Sequence, residues 1–411
     1  MARFDIQIKI KMKRKSQVTM LMILGIFLFI VIGLVLYFSK AAVKKEVQQS
    51  TKKTQEAPID AQPIKKFVSD CLDKLAKDAV VLLGKQGGYI YSSQGGTLVD
   101  FSQRAEGFQF VNYNGFKVAY NIKNPPIFTF FPYSAEIPDY PWIYFPYRAP
   151  QSASENFNGI FGIELMPPLT PAGGSHSMQT QIESYIDINL PKCADFGIFR
   201  EQGYEITMKP PKTSATIGAD DVSVQSKIPL TITSPDAQGI LELNNFSTNL
   251  NVGLRNIYFF TKELVENDIE NIKFDIDDSK NDRGSLSVRI LKDHYSNDDV
   301  VIVSDDGSFI YGQPFQYVFA RKNRAPALYH IKNSIIELES GHLINEGDLL
   351  QGADLKAEDP DEDAVAFTIE ALLPNPRLPT RLDRPQIRFK VVANDISLSD
   401  YQILTVNRND N

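Results

Sequence analysis

The sequence predicts an α+β region that follows one N-terminal transmembrane helix and precedes a C-terminal all-β sandwich. Three observations support this fold class. Residues 18–38 carry no charged side chain, which is typical of a membrane-spanning helix. Apolar residues recur between positions 64 and 82 at the three- and four-residue spacing of an amphipathic helix. Beyond residue 326, short segments alternate between apolar and polar residues, as in small β-sandwiches.

The composition is that of an ordinary globular protein and excludes several functional classes. Of the 411 residues, 43% are hydrophobic and 23% are charged, so wholesale disorder is excluded. The net charge of −7 argues against nucleic acid as a partner. Two cysteines cannot form a four-cysteine zinc site. Because the sequence contains no G-x-S-x-G, H-E-x-x-H, P-loop or G-x-G-x-x-G motif, we expect a protein that is not an enzyme.

Residues 17–38 are predicted to cross a membrane. At 1.5 Å per residue, a helix of this length spans roughly 30 Å, the hydrocarbon thickness of a bilayer. A buried core helix and a cleaved signal peptide are the alternatives. The basic cluster Lys13-Arg14-Lys15 favours a cytoplasmic leader at residues 1–16. We therefore expect a single-pass cell-membrane protein with most of its chain outside the cell, beginning with a stalk at residues 39–60.

The residues at the start of this segment carry a family likeness. The stretch RKSQVTMLMILG places a basic pair, a small residue and a glutamine before the hydrophobic helix. In this it resembles the start of archaeal type IV pilin-like surface proteins, in which glycine often stands at the position of Ser16. The whole chain resembles archaeal membrane-anchored surface proteins, and the resemblance implies a place at the cell surface.

Residues 61–321 are predicted to form the α+β ectodomain, with a break near residues 200–210. Helices are predicted over residues 61–86, 178–190 and 251–265, and Pro191 is expected to end the second. The predicted strands lie at residues 89–91, 97–101, 108–112, 116–120, 222–224, 228–232, 240–243, 272–276, 286–290, 300–303 and 315–319. Asn114-Gly115 between two of these runs predicts a β-hairpin with a type I′ turn.

The two cysteines lie within the first predicted helix and just beyond the second. An even pair in an exported domain predicts a disulfide between Cys71 and Cys193. This bond would close a loop of 193 − 71 = 122 residues, for which loop-closure entropy gives about 5 kcal/mol of stabilisation. Two buried free thiols are the alternative.

Residues 125–150 combine many prolines with a dense set of aromatic side chains. So many prolines exclude a central strand or a long helix, and the segment is predicted to be a loop. Its aromatic residues either cover the core of their own domain or form a contact surface for a partner protein, a glycan or a membrane. The candidate contact residues are Tyr140, Trp142, Tyr144, Phe145 and Tyr147.

Residues 322–411 are predicted to form the β-sandwich, after a linker at residues 323–326. The best strand segments are residues 335–336, 349–350, 364–369, 387–392 and 401–406, and no helical period competes with them.

Four short motifs in this module carry a second family likeness. They are LKAEDPD from residue 355, LDR from residue 382, VVAND from residue 391 and NRNDN from residue 407. In their order they resemble the A-x-D-x-D, L-D-R-E, A-x-D and D-x-N-D-N motifs of cadherin-like repeats, although Pro385 and Asn407 replace acidic residues. The resemblance covers about residues 323–411 and implies an Ig-like or cadherin-like extracellular module for adhesion or spacing.

The cadherin-like resemblance also implies a calcium site. Acidic residues cluster between positions 359 and 363, and calcium takes six to eight oxygen ligands. The candidate ligands are Asp359, Asp361, Asp363, Glu346 and Asp395. An acidic, solvated turn between strands is the alternative, and no other cofactor is expected.

We therefore expect a membrane-anchored cell-surface protein that acts in adhesion, envelope assembly or partner binding, without catalysis. Its expected partners are the bilayer, through residues 17–38, and a cell-surface protein or glycan. A tethered ectodomain that senses a small ligand or glycan through residues 125–150 is the first alternative. An envelope hydrolase is the second, and a pocket lined by carboxylates would favour it.

Overall fold

The computed structural model covers the α+β region and the C-terminal region but not the predicted membrane segment. The described residues are 61–96, 110–124, 161–171, 176–234, 237–329, 331, 335–372, 377–395 and 397–409. The predicted membrane helix (17–38), stalk (39–60) and aromatic loop (125–150) therefore lie outside them. Along the described stretches, no helix combines the length and apolarity needed to cross a bilayer.

The chain divides into two compact units. One comprises residues 1–59 and 233–241, and the other comprises residues 60–232 and 242–411. Of the first unit, the structure describes only the tip of a strand hairpin at residues 233–234 and 237–241. Every contact discussed below lies within the second unit.

Among the described residues of the α+β region there are four α-helices, and three of them confirm the helical segments predicted from the sequence. Pro63 stands in the first turn of the first helix, where proline costs no intrahelical hydrogen bond. The Ser177 hydroxyl caps the second helix by accepting the N–H of Thr180 at 3.2 Å. The helices are α1 (Gln62–Lys85), α2 (Met178–Cys193), α3 (Gly197–Glu201) and α4 (Leu254–Glu270).

The prediction that Pro191 ends α2 is wrong, because the helix continues to Cys193. Proline removes one backbone donor and crowds the carbonyl four residues earlier. So close to the helix end, the loss is confined to the last turn, and the N–H of Ala194 still bonds to the carbonyl of Leu190 at 2.9 Å.

The predicted disulfide between Cys71 and Cys193 is confirmed. It joins α1 to the end of α2, with the two Cα atoms 5.8 Å apart. Next to this end, the ring of Phe67 on α1 lies 6.1 Å from that of Phe196 and 5.6 Å from that of Phe199. The covalent link is therefore backed by aromatic packing between α1 and the segment that follows α2.

The described part of the α+β region also contains ten strands. They are β1 (Phe110–Tyr113), β2 (Phe116–Lys123), β3 (Ile163–Glu164), β4 (Glu205–Met208), β5 (Lys212–Ile217), β6 (Val222–Ser234), β7 (Ala237–Leu250), β8 (Leu286–Tyr295), β9 (Asp298–Ile310) and β10 (Gln313–Arg321). The two strands predicted at 222–224 and 228–232 are one continuous strand, β6. Strands β3, β4 and β5 were not predicted.

Two predicted strands of this region are wrong. At residues 89–91 only Tyr91 makes a single bridge, and a short 3-10 helix follows. Residues 272–276 form turns, because the Asp275 carboxylate accepts the N–H of Asp277 at 2.9 Å and Asp278 caps the next turn. The strand predicted at 97–101 lies outside the described residues.

A mixed six-stranded sheet forms the centre of the α+β region. Its order is β1-β2-β10-β9-β8, with β3 attached to β2. The only parallel contact along this order joins β2 to β10. Asn114 and Gly115 connect β1 to β2 with φ angles of 49° and 81°, as the predicted type I′ turn requires. One buried cluster on this sheet consists of Val111, Val118, Tyr120, Val300, Ile302, Val318 and Ala320.

α1 lies very close to the central sheet at its C-terminal end. A Cβ atom added to Gly84 would collide with the carbonyl oxygen of Gln316 and come within 2.8 Å of the Phe315 ring on β10. Glycine is therefore required at this position by the close approach of helix and strand rather than by its own backbone conformation.

A second sheet contains β4, β5, β6 and β7, in which β6 pairs with the other three. The free edge of β5 is covered by α2. Glu183 and Asp187, one helical turn apart, accept the backbone N–H groups of Ala215 and Thr213, each at 2.9 Å. These carboxylates occupy donors that would otherwise pair with another chain. Burial raises the pKa of Asp187.

The C-terminal region is rich in β-structure, as predicted. Its main sheet has four strands in the order β12-β18-β17-β15, and two short sheets pair β11 with β14 and β13 with β16. The strands are β11 (Ala327–Leu328), β12 (Ile335–Glu339), β13 (Leu343–Ile344), β14 (Ala357–Glu358), β15 (Ala366–Ala371), β16 (Thr380–Arg381), β17 (Gln386–Asn394) and β18 (Ser399–Asn409). One apolar core, which includes Phe389, Val391 and Leu404, joins these sheets.

The strand predicted at residues 349–350 is wrong, because these residues lie in a short helix, α5 (Glu346–Gly352). The side chain of Asn345 starts it by accepting the N–H of Asp348 at 3.0 Å. Leu349 lies in this helix, and its side chain is fully buried. A local cap therefore determined the secondary structure here, and the apolar pair alone did not reveal it.

Candidate functional site

The most unusual feature of the described residues is a pair of buried arginines between the two regions. Arg321 ends β10 and Arg324 follows three residues later, in the segment that leads into β11. Their side chains are 2% and 0% exposed. Removing an ion from water costs several kcal/mol unless charged partners and hydrogen bonds compensate, so these arginines require a dedicated environment.

Three carboxylates provide that environment for Arg321. Its Nη1 donates to Asp268 Oδ1 at 2.9 Å, and its Nη2 and Nε donate to Asp299 Oδ2 at 2.6 and 3.0 Å. The same Nε lies 3.2 Å from Asp361 Oδ1. Arg321 therefore contacts α4, β9 and the C-terminal region at once.

Arg324 also binds Asp361, from another side. Its Nη2 donates to Asp361 Oδ1 at 2.8 Å, and its backbone N–H donates to Asp361 Oδ2 at 2.7 Å. Its Nη1 lies 2.8 Å from Asp268 Oδ2 as an ion-pair contact without hydrogen-bond geometry. The guanidinium also donates to the carbonyl of Pro360 at 2.9 Å. We call Arg321, Arg324, Asp268, Asp299 and Asp361 the arginine junction.

Secondary structure explains how these five residues meet. Arg321 and Asp299 are direct cross-strand partners in the antiparallel pair of β10 and β9, a position at which opposite charges attract. Asp268 lies on the buried face of α4, one turn beyond Leu264 and Val265. Asp361 follows β14, where the N–H groups of Asp361 and Asp363 bond to Asp359 Oδ1 at 2.8 and 3.1 Å.

The electrostatics differ between the two carboxylates that the arginines bind most closely. Burial alone would raise the pKa of Asp361, but Arg324 and Arg321 outweigh burial and lower it. For Asp299, burial prevails over Arg321, and its pKa is raised. Burial opposes the charge of Arg321, but Asp361 and Asp268 favour it and raise its pKa. The junction thus stabilises the ionised form of Asp361.

The linker residues between the arginines are also held. Asp298, which is 1% exposed, accepts the Tyr120 hydroxyl at 2.5 Å and the Lys322 ammonium at 2.8 Å. The backbone N–H of Asn323 donates to the other oxygen of Asp298 at 2.9 Å. The Asn323 amide then donates to Asp395 at 3.2 Å on the C-terminal side. Hydrogen bonds therefore fix the linker to both regions.

Apolar contact and two outer ion pairs surround the arginine junction. Phe161, Ile272 and Ala327 form a small buried cluster that joins the α+β region to β11. Lys273 pairs with Glu358 at 3.0 Å and Lys292 pairs with Glu362 at 2.9 Å, both exposed to solvent. Exposed pairs contribute only about 0–1 kcal/mol each, so these two add little to the stability of the contact between the regions.

Three of the five predicted calcium ligands, Asp359, Asp361 and Asp363, lie in one turn at this junction. Asp359 Oδ1 accepts two backbone N–H groups, whereas its Oδ2 is buried and has no hydrogen-bond partner in the described part of the chain. Burial and the charge of Asp361 raise the pKa of Asp359 to about 7. Burial and several neighbouring carboxylates, Asp361 first among them, raise the pKa of Asp363 to about 6.

The other two predicted ligands are engaged by backbone groups. Asp395 Oδ1 accepts the N–H groups of Ser397 and Leu398, each at 2.5 Å. Glu346 lies in the first turn of α5 and accepts the N–H of Ile369 at 3.1 Å. Within the residues that the structure describes, no group of three or more His, Cys, Asp or Glu side chains is placed to hold a metal ion. Calcium binding stays a prediction.

The predicted partner-binding residues Tyr140, Trp142, Tyr144, Phe145 and Tyr147 lie outside the described residues. Sequence analysis missed the arginine junction and assigned residues 323–326 to a linker. A usable signal exists, since Asp298-Asp299 precedes the apolar run 300–303 and Arg321 directly follows the apolar run 317–320. Opposite charges at the matching ends of two adjacent strands predict a cross-strand pair.

Comparison with known proteins gives weak likenesses among solved structures. No protein-family model matches the chain, and no curated protein matches it by sequence. Among solved structures, the crystal structure of human mucin-like protocadherin EC1-2 is similar at 14% identity, over 51% of this chain and 84% of that chain, with a TM-score of 0.15. Because this score is so low, the likeness to a cadherin structure carries no argument. Nothing in the comparisons supports the resemblance of the N-terminus to archaeal pilin-like proteins.

Proposed function

We propose that this chain is a single-pass, membrane-anchored cell-surface protein that acts in adhesion or envelope assembly, as a rigid spacer and without catalysis. The observation that carries the proposal is the arginine junction. Two arginines that are 2% and 0% exposed bind carboxylates of α4, β9 and the C-terminal region. A spacer has to hold its modules at a fixed angle, and a buried, multiply bonded junction supports that role.

Two further observations support a place outside the cell. The Cys71–Cys193 disulfide is a bond that forms and persists in oxidising compartments. The charge-free run at residues 18–38 has the length of a membrane-spanning helix. In this proposal the C-terminal region is an Ig-like or cadherin-like module, which rests on the motifs at residues 355–361 and 391–395.

The location is tested by labelling intact cells with a membrane-impermeant amine reagent and mapping the labelled lysines. We expect Lys356 to react in intact cells and Lys13 to react only after permeabilisation. We also expect Cys71 and Cys193 to resist alkylation until a reductant is added. Release of the intact chain without detergent, with both thiols open to alkylation, would contradict the proposed location.

The role is tested by comparing cells that lack the chain with cells that carry it. We expect weaker cell–cell attachment, or an envelope that ruptures under milder osmotic stress, when the chain is absent. Arg324→Met should reproduce the defect at unchanged surface abundance, whereas Arg289→Gln, which removes an exposed charge from β8, should not. Equal attachment and equal envelope strength in all four strains would exclude adhesion and assembly.

A further inference from the structure

We propose that the arginine junction is a metal-independent joint, in which the guanidinium groups of Arg321 and Arg324 take the place that a divalent cation would hold. The cadherin-like motifs imply calcium between carboxylates at this position. The contacts of the junction argue for a different cation that is part of the chain itself. The inference does not depend on where the protein works.

The junction offers too few free oxygen ligands for calcium. Calcium takes six to eight oxygens, but most carboxylate oxygens at the junction are already used. Both oxygens of Asp361 accept hydrogen bonds from Arg324. Asp395 binds two backbone N–H groups with one oxygen and the Asn323 amide with the other. Among the described residues, three buried oxygens at or beside the junction have no hydrogen bond: Asp359 Oδ2, Asn323 Oδ1 and Asp268 Oδ2. The last lies 2.8 Å from Arg324 Nη1, and three oxygens fall short of the six to eight that calcium takes.

The two arginines also supply the positive charge that a calcium ion would bring. Two guanidinium groups supply the same +2 as one calcium ion, against three carboxylates at Asp268, Asp299 and Asp361. The junction thus carries 2 − 3 = −1 without any bound ion. A calcium ion at Asp361 would have to displace Arg324 or lie beside it, and in a buried, low-dielectric environment like charges repel strongly.

The guanidinium of Arg324 also binds its partners in fixed directions. A divalent ion accepts oxygens from many directions, whereas a guanidinium is a planar fork with five N–H donors. Arg324 uses that fork to reach Asp361 and the carbonyl of Pro360 in the C-terminal region, and Phe161 in the α+β region, at 2.8, 2.9 and 3.3 Å. The arginine junction therefore fixes an orientation, and a chelator cannot remove its cation.

The decisive experiment measures hydrogen exchange of the full chain with about 5 mM calcium and with excess chelator, since extracellular calcium modules bind at about 0.1–1 mM. We expect the backbone amides of residues 323–331 to be equally protected in both conditions. A drop in their protection of tenfold or more after chelation would overturn the inference. This outcome would still be compatible with a membrane-anchored adhesion protein, so the two proposals fail separately.

A variant tests whether the charge of Arg324 is used. Arg324→Met keeps much of the volume and leaves Asp361 and Asp268 short of a partner, which should lower protection of residues 323–331 on the order of a hundredfold or more. Arg289→Gln, with the same loss of charge at an exposed position of the neighbouring strand β8, should leave it unchanged. Protection in Arg324→Met equal to that of the natural chain would overturn the inference. If this variant fails to fold, the chelation result on the natural chain decides.

Discussion

The disulfide-linked helix pair and the arginine junction hold distant segments together by different physics. Cys71 and Cys193 are 122 residues apart and are joined by a covalent bond. Arg321 and Asp268 are 53 residues apart, and Arg324 and Asp361 are 37 apart. Those segments are joined by charges without access to solvent. The first link stabilises mainly by restricting the unfolded chain, whereas the second makes the removal of any one partner costly in the folded state.

Because of this difference, the helix pair and the arginine junction respond to different conditions. A reductant acts on the helix pair and leaves the charges of the junction untouched. Acid acts on the junction, because Asp361 must be ionised to bind Arg324, and leaves the disulfide intact. Each region therefore serves as an internal control for the other, and the four predictions below exploit that contrast.

The largest effect is expected from removing the disulfide. Replacing both cysteines, Cys71→Ala with Cys193→Ala, should lower the free energy of unfolding by about 3–5 kcal/mol, because a closed loop of this length restricts the unfolded chain. Urea unfolding of the full chain measures it. Reductant should bring the natural chain down to the value of the variant and leave the variant unchanged. Equal stability of the oxidised natural chain and the variant would show that the disulfide does not stabilise the fold.

A similar effect is expected from removing the charge of Asp361, the carboxylate that the C-terminal region contributes to the junction. Asp361→Asn removes the charge that faces both arginines and should cost about 3–5 kcal/mol, the usual penalty for leaving buried charges unpaired. Thermal or urea unfolding at neutral pH measures the loss. Asp354→Asn is the matched control, because its side chain is 74% exposed and its φ of 45° is one that asparagine tolerates. If both variants lose the same stability, the junction does not contribute.

The helix pair and the arginine junction also differ in how well the sequence predicts them. The helix pair and its disulfide followed from local patterns, since apolar spacing gives α1 and α2 and an even cysteine count gives the bond. The hairpin turn at Asn114-Gly115 followed for the same reason. The helix and turn signals each lie within a few residues of the chain, and tertiary contacts did not override them. The disulfide could be predicted across 122 residues because the chain has only two cysteines.

The arginine junction could not be predicted from local sequence patterns. Arg324 lies in a stretch whose polar residues and proline suggest a solvated linker, and its burial depends on Phe161 and Pro360, which are far away in sequence. Leu349 shows the same limit on a smaller scale, because the Asn345 cap made a helix where apolar residues suggested a strand. Charged residues at long sequence separation are recognised only when the fold has brought them together.

The third prediction concerns pH and is smaller. The pKa of Asp359 in the folded chain, about 7, lies above its ordinary value of 3.8. The folded state therefore binds this proton more tightly than the unfolded state, and the stabilisation is full below about pH 4 and lost as the pH rises to about 7. We expect a loss of about 2–4 kcal/mol over this range.

Unfolding at a series of pH values, with a chelator present so that no bound cation contributes, measures this loss. Asp359→Asn should remove its own share of the decline between pH 4 and 7, and the remaining share comes from Asp363, whose pKa is raised to about 6. Asp361 has the opposite sign, because its pKa is lowered, so its contribution is present above about pH 4 and is lost at lower pH. A natural chain whose stability rises steadily from pH 4 to 7, in parallel with Asp359→Asn, would contradict the assignment.

The smallest effect is expected at the rim of the junction, where charges remain in water. Lys292 and Glu362 lie 2.9 Å apart, with side chains 44% and 45% exposed. Lys292→Gln should therefore cost no more than about 0.5 kcal/mol at low salt, and screening should abolish the difference at about 1 M salt. The effect of Asp361→Asn, in contrast, should persist at high salt because that carboxylate is shielded from mobile ions. If salt removed both effects equally, the arginines would have to be in contact with solvent. The junction would then not differ from its solvent-exposed rim.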